Sequence, residues 1–334
     1  MFEYLETKTI DDAFPLLNKY GSEAKILAGG TDLLVNLREK AIAPQYLINI
    51  KRILDLSFIV HNQEAGLKIG ALTLLHDIDT HADIRGKFTA IAEAAHEIGS
   101  LQIRNMGTVG GNICQTRKCV YYNQSHINLF MRQSLSECWA KGGSICHAAG
   151  KDSLFHSLVG AKKCWASCCS DMLTAFACFN ASVEIISPSG SRSVPACDFW
   201  PGPEAGKSVL NSNELVSAIH SPSFPSGTRS LYLKHKRDSR GFAVVSIAAR
   251  VDINRDDVCT DARIILGGVA PVPLWAKEVE DAVKGKRLEP KVINGAAQMV
   301  LKSAWSCGPS TEFKIIKTRS LIKDALSLLS NKKN

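Results

Sequence analysis

The chain has 334 residues, 45% of them hydrophobic and 22% charged, with a formal net charge of +8. These are globular proportions, and the length suffices for one large core or two to three smaller ones. No apolar run nears the length of a membrane span, the opening MFEYLETKTIDD is acidic rather than signal-like, and the expected location is cytoplasmic. Lys and Arg are scattered without a basic stripe or interleaved aromatics, which argues against nucleic acid and leaves basic patches facing an acidic partner subunit.

Along the chain, Thr9 and Asp12 open a helix through AFPLLNKY that Gly21 stops. AKILAGG is a short buried strand ending in glycines, TDLLVNLREK a helix led by Thr31 and Asp32, and QYLINI the next strand, together a β-α-β unit. LSFIVHNQEAGLKIGALTLL is a hairpin turning at Glu64-Ala65-Gly66, and FTAIAEAAHEIGS a helix closed by Gly99. Residues 115–170 show no sustained period. Order returns in DMLTAFACFNASVEIISPSGS as helix, strand and turn, and after residue 226 come strands SLYLKHKR, FAVVSIAARVDI and ARIILGG, then helices. The expected units are 1–53, 54–225 and 226–334, an α+β organisation.

Several motifs are decoys. GPEAGKS (Gly202 to Ser208) has three residues between its glycines where a phosphate loop has four. No G-x-G-x-x-G occurs. His96-Glu97 lacks the second histidine of a zinc-protease helix and reads as a solvated helix face. No spacing supports a Ser-His-Asp or Cys-His nucleophile.

Two glycine turns remain, LAGGTDLL and GTVGGNI. Glycine admits positive φ and lets successive backbone N–H groups converge on an anion, and a helix N-terminus follows the first turn. Asp32 would sit poorly beside phosphate and reads as a cap. Cysteine is the other anomaly: eight of eleven fall between Cys114 and Cys178. In a compartment that disfavours disulfides, such density points to metal or redox chemistry. Four thiolates on wide loops suit an iron–sulfur cubane. Structural zinc prefers C-x2-4-C pairs, and the adjacent Cys168-Cys169 suits neither metal tightly. Iron–sulfur, zinc and unligated thiols all remain open at this point.

ILAGGTDLL, QIRNMGTVGGNICQ, SDMLTAFACFNASVEI, YLKHKRDSRGFAVVSIAA and LGGVAPVP stand in one order across nearly the whole chain. That ordered set resembles the FAD-binding medium subunits of molybdenum hydroxylases, the xanthine dehydrogenase and carbon monoxide dehydrogenase group. The resemblance implies a two-subdomain FAD-binding fold of the PCMH/vanillyl-alcohol-oxidase type followed by a C-terminal α+β domain. It implies that Leu27, Ala28, Gly29, Gly30, Thr31, Asp32 and Leu33, with Thr108, Val109, Gly110, Gly111 and Asn112, wrap the FAD pyrophosphate. Asp171 and Lys234 match further cofactor contacts. The long insertion between Asn112 and Asp171 resembles the 4-hydroxybenzoyl-CoA reductase branch, whose medium subunit carries an additional [4Fe–4S] cluster there. On that likeness Cys119, Cys138, Cys146 and Cys164 are the ligands, with Cys168 or Cys169 as substitutes for Cys164.

The implied role is electron transfer, with no catalytic residue of the chain's own. Implied partners are a molybdopterin-binding large subunit, a [2Fe–2S] small subunit and a ferredoxin-type carrier, in a hetero-oligomer. Two rivals are an outward-flowing dehydrogenase or hydroxylase subunit for a purine, aldehyde or N-heterocycle, passing electrons to ferredoxin or NAD, and a flavin-free scaffold stabilised by zinc.

Overall fold

The computed structural model of the chain describes residues 2–122, 137–200 and 208–331. Strands β1 (Glu3–Glu6), β2 (Ala24–Leu27) and β3 (Tyr46–Asn49) form a parallel sheet in the order β1-β3-β2. Helix α1 (Ile10–Tyr20) starts where the Thr9 hydroxyl accepts from the Asp12 amide and the Asp12 carboxylate accepts from the Thr9 amide, a reciprocal cap. It stops at Gly21, whose φ of +47° lets its N–H return to the Leu17 carbonyl. Helix α2 (Leu33–Arg38) follows the first glycine turn.

A five-stranded antiparallel sheet holds β4 (Ile59–Asn62), β5 (Gly66–Gly70), β6 (Ser182–Ser187), β7 (Gly190–Pro195) and β8 (Leu215–Ser221), in the order β4-β5-β8-β6-β7. The β4–β5 turn is fixed by Asn62 Oδ1, which accepts from the Glu64 and Ala65 amides. Packed against this unit are α3 (Leu75–Thr80), α4 (Ala82–Lys87), α5 (Thr89–His96), α6 (Leu101–Arg104), α7 (Val109–Cys114) and α8 (Asp171–Cys178). Every residue of α8 is buried. Phe176, Phe179 and Phe199 fill the core beneath it, and truncating one to Ala would cost about 3–5 kcal/mol.

The third sheet is antiparallel, β12-β11-β10-β9, from β9 (Thr228–Lys236), β10 (Ala243–Ile253), β11 (Cys259–Gly267) and β12 (Leu274–Trp275). Helices α9 (Lys277–Val283), α10 (Pro290–Met299) and α11 (Pro309–Asn331) back it with a core of their own. None of the described helices is long and apolar enough to cross a membrane.

Between α7 and α8 the described residues form one 3₁₀ turn (Trp139–Lys141) and two isolated bridges, Cys138 to Ile145 and His156 to Ala166. Irregular backbone needs outside support, and the C-terminal unit supplies it. The Asp152 carboxylate accepts from the Ser310 and Thr311 amides at the head of α11, at 3.0 and 2.8 Å. Fully buried Lys314 donates to the His156 carbonyl at 2.7 Å, and the Trp165 ring meets Trp305 edge-on. Leu158 exchanges backbone bonds with Val269 and Trp305. Of the GPEAGKS segment, residues 202–207 lie outside the described residues, as does the end of KCVYYNQSH.

Candidate functional site

The two glycine turns meet face to face. Gly30 has φ +77°, a conformation that favours glycine, and a Cβ on Gly29 would overlap the Met106 carbonyl. The turn after β2 therefore lies directly on the loop entering α7. Together they wall a cavity of about 670 Å³, within the ordinary range for cofactor sites, roughly 300–1,000 Å³. Ala28, Gly29, Gly30, Thr31, Asp32, Leu33, Thr108, Gly110, Gly111, Asn112, Asp171 and Lys234 all line it. Leu27 and Val109 do not; both are buried and anchor the turns from behind.

The turns differ as donors. The amides of Ala28 to Leu33 donate to no group among the described residues, leaving consecutive N–H groups free for an anion. The expectation that the second turn does the same is corrected. Val109 N donates to the Thr73 carbonyl, Gly110 N to the Ala71 carbonyl, and Gly111 N to Thr108 Oγ1 at 3.1 Å. These bonds fix α7 against the segment after β5, where Gly110 packs on Ala71, so the second turn offers the Cβ-free face of Gly111 rather than a row of donors.

Asp32 is corrected too. It occupies the N-cap position of α2, but its side chain makes no capping bond. Its carboxylate accepts from the Thr116 amide and hydroxyl and pairs with Lys118, tethering the start of the insertion across the cavity mouth.

Asp171 and Lys234 form a buried ion pair, Oδ2 to Nζ 2.7 Å, with side chains 6% and 1% exposed. Asp171 Oδ1 accepts from the Tyr232 hydroxyl, and Lys234 also donates to the Glu97 carbonyl at 3.1 Å. Burial, then the adjacent carboxylate, pushes the Tyr232 hydroxyl well above its usual range, so it stays a neutral donor. His96-Glu97 is a solvated face, with the His96 side chain 59% exposed, and it also makes contacts: His96 Nδ1 lies 3.0 Å from Asp79 Oδ2 and Glu97 Oε2 lies 2.6 Å from Lys236 Nζ. With Tyr232 they line a second, polar cavity of about 420 Å³.

The insertion gathers Cys119, Cys138, Cys146 and Cys164 around a space of about 10 Å³, walled by Tyr121, Tyr122, Trp139 and Ala166. Cys119, Cys138 and Cys164 are buried and Cys146 is half-buried. Backbone amides point at the sulfurs: Tyr121 and Tyr122 at Cys119, Trp165, Ala148 and Ala149 at Cys146, Ala166 at Cys164. The Cys164 thiol donates to Cys146, which pulls Cys146 down and holds Cys164 up. His156 Nε2 lies 3.4 Å from Cys119 Sγ; burial, then the charges of Lys314 and Lys151, lower its imidazole to about 4 and keep it neutral.

Cys168 and Cys169 lie apart from this pocket. Cys168 packs on the middle core, Cys169 lines the large cavity, and burial pushes their thiols up to about 11 and about 12. Tyr122 lines both the large cavity and the cysteine pocket. Among the described residues no three His, Cys, Asp or Glu side chains are grouped as a single-ion site.

Residues 1–224 match the FAD binding domain in molybdopterin dehydrogenase, and residues 230–327 the CO dehydrogenase flavoprotein C-terminal domain. The chain is 34% identical over 267 residues, 78% of each chain, to an aldehyde oxidoreductase FAD-binding subunit of Escherichia coli. It is 28% identical over 299 residues to the glyceraldehyde dehydrogenase medium chain of Sulfolobus acidocaldarius, covering 90% of this chain and 86% of that one. Its fold is similar to that in carbon monoxide dehydrogenase from Hydrogenophaga pseudoflava, with TM-score 0.75, 26% identity and coverage of 98% and 96%. The free amides of the first turn, the Cβ-free second turn and the volume between them fit a flavin dinucleotide. The chain belongs to the FAD-binding subunits of the molybdopterin dehydrogenases.

Proposed function

We propose that the chain is the FAD- and [4Fe–4S]-carrying electron-transfer subunit of a molybdenum-dependent oxidoreductase of the 4-hydroxybenzoyl-CoA reductase type. Electrons enter from a low-potential carrier such as ferredoxin and pass by way of FAD to a [2Fe–2S] small subunit and a molybdopterin-binding large subunit. One observation carries this reading: four cysteines converge in a largely buried pocket whose amides point at sulfur and whose wall, Tyr122, is also a wall of the flavin cavity. Amides aimed at sulfur favour thiolates, the form that binds iron, and hydrogen bonds to sulfur tune cluster potentials.

Flavin exchanges one or two electrons and so couples hydride chemistry to one-electron centres. The rest of the chemistry here is holding and spacing. The amides of Ala28 to Leu33 hold the diphosphate, Gly111 admits its close approach, and the Asp171–Lys234 pair lines the same cavity. Substrate conversion belongs to the large subunit.

The outward-flowing reading has its own support, because the relatives named above are an aldehyde oxidoreductase subunit and a glyceraldehyde dehydrogenase medium chain. Such a subunit would pass electrons from an aldehyde, purine or N-heterocycle to ferredoxin or NAD. The zinc scaffold is disfavoured. Zinc–thiolate bonds of about 2.3 Å require a tighter gathering of ligands than a multi-iron cluster does, and the pocket holds no such group among the described residues.

The test is direct. Anaerobically purified chain should hold about four iron and four sulfide beside its FAD. Cys138→Ser and Cys146→Ser should each deplete iron and leave flavin bound. Zinc in place of iron would refute the cluster. In the assembled complex, rapid mixing with a reduced low-potential carrier should reduce the cluster before FAD; equal rates in Cys146→Ser would favour outward flow.

A further inference from the structure

Residues 115–170 carry seven Lys and Arg against two Asp and Glu, a net +5 of the whole chain's +8. Lys and Arg occur there at the chain's average density, so the surplus of positive charge comes from a shortage of Asp and Glu. Several are already engaged: Arg117 is buried and Lys118 pairs with Asp32. One of the two acids, Asp152, is engaged as well, at the head of α11.

Three others stand over the cysteine pocket itself. Lys141 Nζ lies 5.2 Å from the Tyr122 ring centre, Lys151 Nζ 4.8 Å from that of Tyr121, and Lys163 Nζ 5.9 Å from that of Trp139. Lys151 also donates to the Tyr121 hydroxyl at 2.9 Å. All three rings line the pocket, so each carries an ammonium group. Cation–ring contacts of this kind are worth about 0.5–1 kcal/mol at exposed sites, enough to bias where a lysine rests. Val120 and Ile145, the chain neighbours of Cys119 and Cys146, are 57% and 52% exposed.

We propose that this face, with Val120 and Ile145 among a collar of Lys141, Lys151 and Lys163, is the docking surface for an acidic one-electron carrier protein. The inference rests on the cluster reading and adds where the carrier binds and what its surface must be. Cys119, Cys138 and Cys164 are buried behind these rings, so electrons reach them through surface contact. Redox encounters use small interfaces, and rim charges of one sign set association rate and salt dependence. A negatively charged carrier matches this face; a basic one is repelled by it.

The test uses the full chain with flavin and cluster bound, and a small acidic [4Fe–4S] ferredoxin as the probe. In Lys141→Gln/Lys151→Gln/Lys163→Gln, the second-order rate of reduction by ferredoxin at low salt should fall about tenfold or more, and its salt dependence should flatten. Reduction by reduced methyl viologen, and the iron and flavin contents, should hold. The triple Arg variant should restore the ferredoxin rate. On wild-type chain, carbodiimide cross-linking to ferredoxin carboxylates should map to these three lysines, a readout independent of variant folding and of iron. Cross-links elsewhere, or an unchanged ferredoxin rate with iron retained, overturn the proposal. So does loss of the molybdopterin subunit from the triple variant with ferredoxin reduction intact, which would make this a subunit interface. Wild-type chain devoid of iron would instead refute the cluster reading.

Discussion

Removing one member of the Asp171–Lys234 pair should be more damaging than removing both. At 2.7 Å the two charges attract by about 6 kcal/mol at an effective dielectric of 20. Their burial costs several kcal/mol per ion, so the intact pair contributes little net stability. Lys234→Met leaves the Asp171 carboxylate buried with the Tyr232 hydroxyl as its remaining side-chain donor among the described residues, and Asp171→Asn leaves the ammonium with the Glu97 carbonyl. Each single variant should lose about 3–5 kcal/mol. The double variant should recover at least about 2 kcal/mol of the summed loss, because neither charge remains. Equilibrium urea unfolding followed by far-UV circular dichroism measures the series, with an unchanged slope as the control. If either single variant unfolds within about 1 kcal/mol of wild type, or the double loses the full sum, the pair is not the buried, mutually compensating unit described here.

Gly111→Val should purify folded but without flavin, since beyond its own helix backbone and chain neighbours an added Cβ presses among the described residues only on Thr108 Oγ1, at 2.9 Å, a side chain that can rotate, and the turn faces the cavity; stoichiometric FAD in that variant would place the cofactor elsewhere. Asp32→Ala should release Thr116 and Lys118, and trypsin should cut after Lys118 several-fold faster; an unchanged rate would deny the tether. The Arg192 guanidinium holds the Glu214 carboxyl at about 2, below its usual 4.5. Its contribution is therefore complete above about pH 4.5 and is lost as pH falls toward 2. Arg192→Gln should lower stability at pH 7 and flatten the acid limb of unfolding free energy against pH, and an identical acid limb would count against it.

What could be read from the sequence was what neighbouring residues decide among themselves. The α1 cap needs Thr9 and Asp12 alone, the β4–β5 turn needs Asn62 to Gly66, and the Gly29-Gly30 turn is set by its lack of side chains. The roles that were misread or unseen depend on partners far along the chain. Asp32 looked like a cap because Leu33 begins a helix, yet its carboxylate is claimed by residues 84 and 86 positions away. The amides of Gly110 and Gly111 looked free until Ala71 and Thr108 were seen to accept from them. Asp171 and Lys234 were individually visible through family likeness, but their bond spans 63 residues and two sheets' worth of topology. The lysines looked scattered because sequence order does not reveal that they converge on three aromatic rings.

The seating of the insertion on the head of α11 sets a clock for the cysteines. Lys314 and the His156 carbonyl it supports are 158 residues apart. A ribosome adding 5–20 residues per second needs about 8–30 s to span that interval. Cys119, Cys138 and Cys146 precede that interval and Cys164 emerges near its start, so all four wait on a floor not yet made. Their thiols are then open to oxidants and stray soft metals, and the pocket cannot close on anything. Under the proposed cluster assignment, iron delivery would be a late event in the life of the nascent chain, and a cell that makes the protein faster than it finishes it would accumulate folded flavoprotein with unligated cysteines.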